Sequence, residues 1–220
     1  MPTMRVFSDF DGTISRQDSL SYLLNEFGGA RWKVLEAQLI AGELSERDAV
    51  NEAFREFPLS VAEASRWVLN HVSLDPSFAT FYRWLETKQV PLTILSGGFV
   101  QFIRPLLARE GLQNLRLIAN SATDVPGGWI IRSASYRREC EQFHHCKCSS
   151  LTLEQSQNVE TTVYVGDGNT DFCPVSKSDV IFAKKSLARF CVSNGLSFNP
   201  FNDFRDVRLH LEALMTRQAA

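Results

Sequence analysis

The sequence predicts an α/β fold: a Rossmann-like three-layer core with a mainly parallel sheet, and a helical cap inserted after the first strand. Three observations lead there. Short runs rich in Val, Ile and Leu, each closed by a turn signal, recur along the chain. Stretches with helical spacing lie between them, as in a sheet whose parallel strands are joined by helices. The alternation fails once, from about residue 18 to 74, where every amphipathic pattern is helical.

Taken in order, "MRVFS" (4–8) reads as a buried strand that opens the core. "DSLSYLLNEFG", "ARWKVLEAQLIAGELSERDAVNEAFREF" and "SVAEASRWVLNHV" follow as helices. The expected division is therefore a core of 1–16 and 75–220 with a cap of 17–74. Helical spacing over 75–89 and 98–111 brackets a strand at 90–96, and "LRLIANS" (115–121) is the next. In "SATDVPGGWIIRSASY" (121–136) Pro-Gly-Gly separates two extended stretches, the signature of a hairpin. A helix over 149–157, strands at 161–167 and 179–183, and a helix over 203–217 complete the chain.

Composition narrows the function. The chain has 220 residues, 44% of them hydrophobic, enough for a substantial core. Its 23 basic and 25 acidic side chains leave a net charge of −2, with no electrostatic footprint for nucleic acid or an anionic membrane. No secretory pattern opens the sequence and no 18-residue apolar window occurs, so the expected location is the cytoplasm. Five cysteines, three of them between 140 and 148, do not resemble a disulfide framework and are expected as reduced thiols.

"VFSDFDGTIS" (6–15) puts Asp9 and Asp11 where the first strand runs out, at the edge of the sheet where α/β proteins bind ligands. Asp-Gly alone is an ordinary turn. Asp-x-Asp-Gly-Thr, at average residue usage, arises by chance in a chain this long only a few times in ~1,000. The spacing suits phosphoryl chemistry: one carboxylate attacks phosphorus, and a second, two residues on, protonates the leaving alkoxide and later activates water. Paired carboxylates beside a phosphate repel one another, which calls for a hard divalent cation, best Mg²⁺.

These residues resemble the first motif of the haloacid dehalogenase superfamily, and three more motifs follow in order. "LTILSGG" (92–98) resembles the second, with Ser96 as a phosphate ligand; "CKCSSL" (146–151) offers Lys147 as in the third; "VYVGDGNTD" (163–171) resembles the fourth. The resemblance implies Asp9 as nucleophile, Asp11 as acid/base, and phosphate contacts from Ser96, Gly97, Lys147, Gly12 and Thr13. It also implies a metal held by Asp9, the Asp11 backbone carbonyl and Asp167, with Asp171 and Asn169 as second-tier candidates.

The cap position and "GDGNTD" resemble the phosphoserine phosphatase-like branch. Asp18 falls where those enzymes carry a substrate-binding glutamate, although it is equally placed to cap the helix "SLSYLL". Within the branch, "DFDGTI", "ILSGG", "CKCS" and the C-terminal "FNDFRDVRLHLE" resemble the 2-hydroxy-3-keto-5-methylthiopentenyl-1-phosphate phosphatases of methionine salvage. Phosphoethanolamine and phosphocholine phosphatases share the cysteine before the lysine. The expected activity is Mg²⁺-dependent hydrolysis of a small phosphate monoester, with the cap opening and closing over it; a phosphotransferase would use the same motifs. "CEQFHHCKC" (140–148) adds a zinc alternative through Cys140, His144, His145, Cys146 and Cys148, against free thiols.

Overall fold

The computed structural model describes residues 4–155 and 161–218. Strand β1 (Met4–Ser8) is followed by five helices, α1 (Ser19–Phe27), α2 (Gly29–Ala41), α3 (Glu46–Ala53), α4 (Val61–His71) and α5 (Phe78–Thr87). The chain continues through β2 (Leu92–Phe99), α6 (Val100–Arg109), β3 (Arg116–Val125), β4 (Gly128–Arg132) and α7 (Lys147–Glu154). It ends with β5 (Thr161–Gly166), α8 (Phe172–Val175), β6 (Val180–Ala183), α9 (Lys185–Ser193), β7 (Asn199–Pro200) and α10 (Phe204–Gln218).

The strands form one sheet in the order β4-β3-β2-β1-β5-β6-β7, parallel throughout except for the β3–β4 hairpin. The α/β class expected from the alternation is the one observed. Strand β1 lies between β2 and β5, so the connections run to one side of it and then return to the other. That reversal leaves a crevice outside the carboxyl ends of β1, β2 and β5. Alternation along β1 builds the layers: Val6 packs with Ile94 and Val163 on one face, Phe7 with Leu95 and Tyr164 on the other.

Local signals explain the helices between β1 and β2. Asp18 caps α1 by accepting from Ser21 N at 2.8 Å, Ser60 and Glu63 form a capping box on α4, and Gly42 ends α2 with φ of +72°. The hydrophobic cluster that includes Leu23, Trp32, Val50 and Val68 is continuous with Val6 and Ile94 of the sheet and Phe102 of α6. Its most aromatic part joins α3 to the hairpin: Phe54 stacks on Trp129 with centroids 4.4 Å apart, and Trp129 N donates to the Phe54 carbonyl at 3.0 Å.

Some boundaries differ from expectation. Strand β2 runs on to Phe99, and its register against β3 slips between Ser96 and Phe99, so Gly97 and Gly98 bulge outward from the ladder. The helix expected over 149–157 starts earlier, at Lys147, and ends at Glu154; positions 156 and 157 lie outside the described residues. Three elements went unforeseen: the four-residue helix α8, helix α9 and strand β7. Helix α9 turns Leu187 and Cys191 inward, and β7 is a two-residue edge strand. Among the described residues no helix is long and apolar enough to cross a membrane.

Candidate active site

The crevice is built from three neighbouring strand ends and one helix start. Asp9 N donates to the Val165 carbonyl at 2.9 Å, so the β1–β5 ladder extends one residue beyond β1 and fixes the first carboxylate. The chain then turns on Gly12, whose φ of +76° favours glycine and whose missing Cβ would collide with the Asp167 carboxylate. Lys147, the first residue of α7, projects into the crevice and is 2% exposed.

A buried charge network holds these groups. Lys147 Nζ donates to Asp9 Oδ1 at 2.5 Å and to Asp171 Oδ1 at 2.8 Å. Asp171 is wholly buried and also accepts from Tyr164 Oη at 2.7 Å and from the Asp167 and Gly168 amides at 3.0 Å each. It is a saturated acceptor that orients the lysine. Burial opposes the charge on Lys147, but Asp171 and Asp9 outweigh it and hold the ammonium above the ordinary lysine value. Burial pushes Asp9 well up; Lys147 opposes this, while Asp171 and Asp167 reinforce it. Asp11 is pushed up to about 7, first by burial and then by the Asp18 charge, against the hydrogen bond from Ser19 N at 2.8 Å. A carboxyl that can change protonation near neutrality suits an acid/base.

The donor set fits a hard divalent cation. Oxygens of Asp9, Asp167 and Asp171 lie within 4.8 Å of one another, and the three buried carboxylates outnumber the two lysines that pair with them, Lys147 and Lys185. Since Asp171 is saturated, Asp9 and Asp167 are the carboxylates available to a metal. Asp167 Oδ1 accepts from the Thr13 hydroxyl at 3.1 Å, so Thr13 steadies that carboxylate. Asp167 Oδ2 accepts from Lys185 Nζ at 2.8 Å.

The remaining expected residues divide. Ser96 is fully buried; its hydroxyl accepts from Gly98 N at 2.9 Å and faces Asp11 Oδ2 at 3.4 Å. The Gly97 carbonyl is held by Asn120 Nδ2 at 2.7 Å. Asp18 is exposed and serves as the α1 cap. Asn169 is exposed and opens the 3₁₀ turn that ends at Asp171.

Two residues were not legible as part of the site. Glu46, in the first turn of α3, lies in the fields of Lys147, Asp18 and Asp171. Its Oε1 is 3.7 Å from where a Cβ on Gly97 would stand, and burial pushes its carboxyl up to about 7. Nothing in the helical pattern separates it from solvated glutamates. Lys185 adopts a left-handed φ of +48° to reach Asp167; the only signal was a Lys-Lys pair at a strand end.

The expectation of reduced thiols is corrected at two positions: Cys148 is disulfide-bonded to Cys173, whereas Cys140, Cys146 and Cys191 are free. Folding brings Cys173 from 25 residues away, which spacing within 140–148 cannot reveal. The two histidines are engaged elsewhere. His144 Nε2 meets Asn51 Oδ1 at 3.1 Å, and His145 Nδ1 donates to the Ser96 carbonyl at 2.7 Å while its Nε2 accepts from the Ser150 hydroxyl at 2.8 Å. Burial pushes His145 down to about 4, which suits this neutral tautomer.

Known proteins resemble this chain in sequence and in fold. The family described as haloacid dehalogenase-like hydrolase matches residues 6–173. Pdp3-interacting factor 1 of Schizosaccharomyces pombe is 34% identical over 95% of each chain. A 2-hydroxy-3-keto-5-methylthiopentenyl-1-phosphate phosphatase of Bacillus cereus is 27% identical over 97% of this chain and 98% of its own. In fold, a substrate-bound phosphoserine phosphatase superposes with a TM-score of 0.70 at 14% identity, covering 96% of this chain and 98% of that one. With the four motifs gathered in one crevice and most of the chain matched, this protein belongs to the haloacid dehalogenase-like hydrolase family and is a phosphatase.

Proposed function

We propose that the protein hydrolyses a small phosphate monoester with Mg²⁺ through an aspartyl-phosphate on Asp9. The observation that carries this reading is the buried Asp9 carboxylate, held by Lys147 at 2.5 Å and flanked by an Asp11 carboxyl pushed up to about 7.

One oxygen of Asp9 is fixed by the lysine, which leaves the other to attack phosphorus. Lys147, fixed in turn by Asp171, offsets the charge of the arriving phosphate and keeps the nucleophile oriented. The Ser96 hydroxyl and the Gly97 amide offer donors to the phosphoryl oxygens, and the Gly98 amide holds that hydroxyl at 2.9 Å. Protonated Asp11 gives its proton to the departing alkoxide. As a carboxylate it then takes one from the water that cleaves the acyl-phosphate, which returns Asp9 and releases phosphate. Mg²⁺ held by Asp9, Asp167 and the Asp11 backbone carbonyl would neutralise phosphate charge.

For the substrate, the relatives named as methylthiopentenyl phosphate phosphatases match 97% of the chain and support that ester. Asp18 and Glu46 favour a second reading, an aminoalkyl phosphate such as phosphoserine, phosphoethanolamine or phosphocholine, because the Asp18 charge acts on both Asp11 and Glu46 and the Glu46 carboxyl lies in the field of Lys147. Turnover of an aryl phosphate with Mg²⁺ tests the chemistry: Asp9→Asn should reduce it to background, and residual hydrolysis at the wild-type rate would refute the assignment. A panel containing the methylthiopentenyl ester and the aminoalkyl phosphates ranks the two substrate readings by kcat/KM.

A further inference from the structure

Four of the five cysteines meet in one place. Cys148 is bonded to Cys173, and the free thiols of Cys146 and Cys140 lie 3.4 and 3.8 Å from the Cys148 sulfur. This group packs apart from the two hydrophobic clusters of the core. Its position relative to the crevice is specific. Cys148 directly follows Lys147, and Cys173 comes two residues after Asp171. Lys147 and Asp171 are themselves joined by the 2.8 Å ion pair. Two links, one covalent and one ionic, therefore run side by side between the start of α7 and the start of α8. No step of the hydrolysis uses sulfur.

We infer that Cys148 and Cys173 form a reversible thiol–disulfide site, exchanging with low-molecular-weight disulfides of the glutathione class, whose closure holds Lys147 in its phosphate-binding position. Cys173 is the half-buried member of the pair and the point of entry, whereas Cys148 is buried. In closure, the Cys173 thiolate attacks the small disulfide, forms a mixed disulfide and releases one small thiol. The Cys148 thiolate then attacks the Cys173 sulfur and releases the second. Two protein thiols are oxidised, one small disulfide is reduced to two thiols, and two protons leave with them.

The test uses the full chain, purified without reductant or chelator and equilibrated in glutathione buffers of graded potential. Alkylation in denaturant followed by mass analysis should find two fewer modified cysteines at the oxidising end, with peptide mapping joining Cys148 to Cys173. Reduction should lower the melting temperature and weaken inorganic phosphate binding at least threefold. Cys173→Ser should match the reduced wild type under both conditions, and Cys191→Ser, away from the cluster, should behave as wild type. If Cys173→Ser does not fold, reduced wild type supplies the same comparison. The thiol count and melting temperature do not depend on the phosphatase reading; the phosphate affinity does. The inference is overturned if the number of alkylated cysteines is the same across the series, or if oxidation leaves phosphate affinity unchanged. Stoichiometric zinc on the purified chain, with every cysteine alkylated once it is chelated, would also overturn it.

Discussion

Replacing Asp171 by Asn isolates the residue that orients the lysine. Four donors converge on this wholly buried carboxylate: Lys147 Nζ at 2.8 Å, Tyr164 Oη at 2.7 Å and the amides of Asp167 and Gly168 at 3.0 Å. Asparagine presents one oxygen and one NH₂ group, so in either orientation two donors face another donor. Each such buried mismatch costs about 1–3 kcal/mol. Loss of one partner from a buried ion pair costs about 3–5 kcal/mol. Because the two costs describe overlapping contacts, the expected destabilisation is about 3–5 kcal/mol in all. Domain stabilities are typically about 5–15 kcal/mol, so the variant should fold with a much lower urea midpoint and reduced turnover. Tyr164→Phe removes only one of the four donors and should cost about 1 kcal/mol. A loss below about 1 kcal/mol for Asp171→Asn, with turnover intact, would refute the idea that this carboxylate is a saturated, charged anchor.

Three further outcomes follow from the geometry. In Gly98→Ala the new Cβ would stand 2.5 Å from Asp11 Oδ2 and 3.2 Å from the Ser96 hydroxyl, so kcat should fall about a hundredfold while secondary structure by circular dichroism is retained. Wild-type kcat would contradict the placement of Asp11. Glu46→Gln should raise KM for aminoalkyl phosphates about tenfold and leave aryl phosphate unchanged; equal effects on both would remove Glu46 from leaving-group recognition. His145 is pushed from 6.5 down to about 4 by burial, so between those values the unfolded chain binds the extra proton and stability drops as pH falls. The raised carboxyls of Asp11 and Glu46 carry the opposite sign, so the comparison is with His145→Gln. The stability difference between wild type and that variant should shrink by about 3 kcal/mol from pH 7 to pH 4, and a constant difference in urea melts would contradict a neutral buried His145.

The parts legible in the sequence were those encoded locally. A strand ending in Asp-x-Asp-Gly-Thr reports its own end, because strand propensity, turn chemistry and the need for a positive φ at Gly12 coincide within a few residues. Ser96-Gly97-Gly98 reads as a loop, yet it is a bulge within β2, set by pairing with β3 that no local pattern records. Lys147 was identified through the order of the motifs, but its partners were not, since Asp9 and Asp171 are 138 and 24 residues away. Glu46 and Cys173 were missed for the same reason. Each acquires its role from neighbours brought in by tertiary folding, and its own surroundings in the chain are those of an ordinary helix face or turn.

The seam between α3 and the hairpin bears on what can move. Phe54 and Trp129 lie flat against each other, Phe57 and Phe99 meet Phe54 edge-on, and Arg47 reaches the Phe143 carbonyl at 2.6 Å. Parting this seam would wet two large rings, at about 4–6 kcal/mol each, before any polar contact is counted. Along that flank the segment between β1 and β2 is pinned to the hairpin. Separating α3 from the hairpin is thus costly whatever else moves.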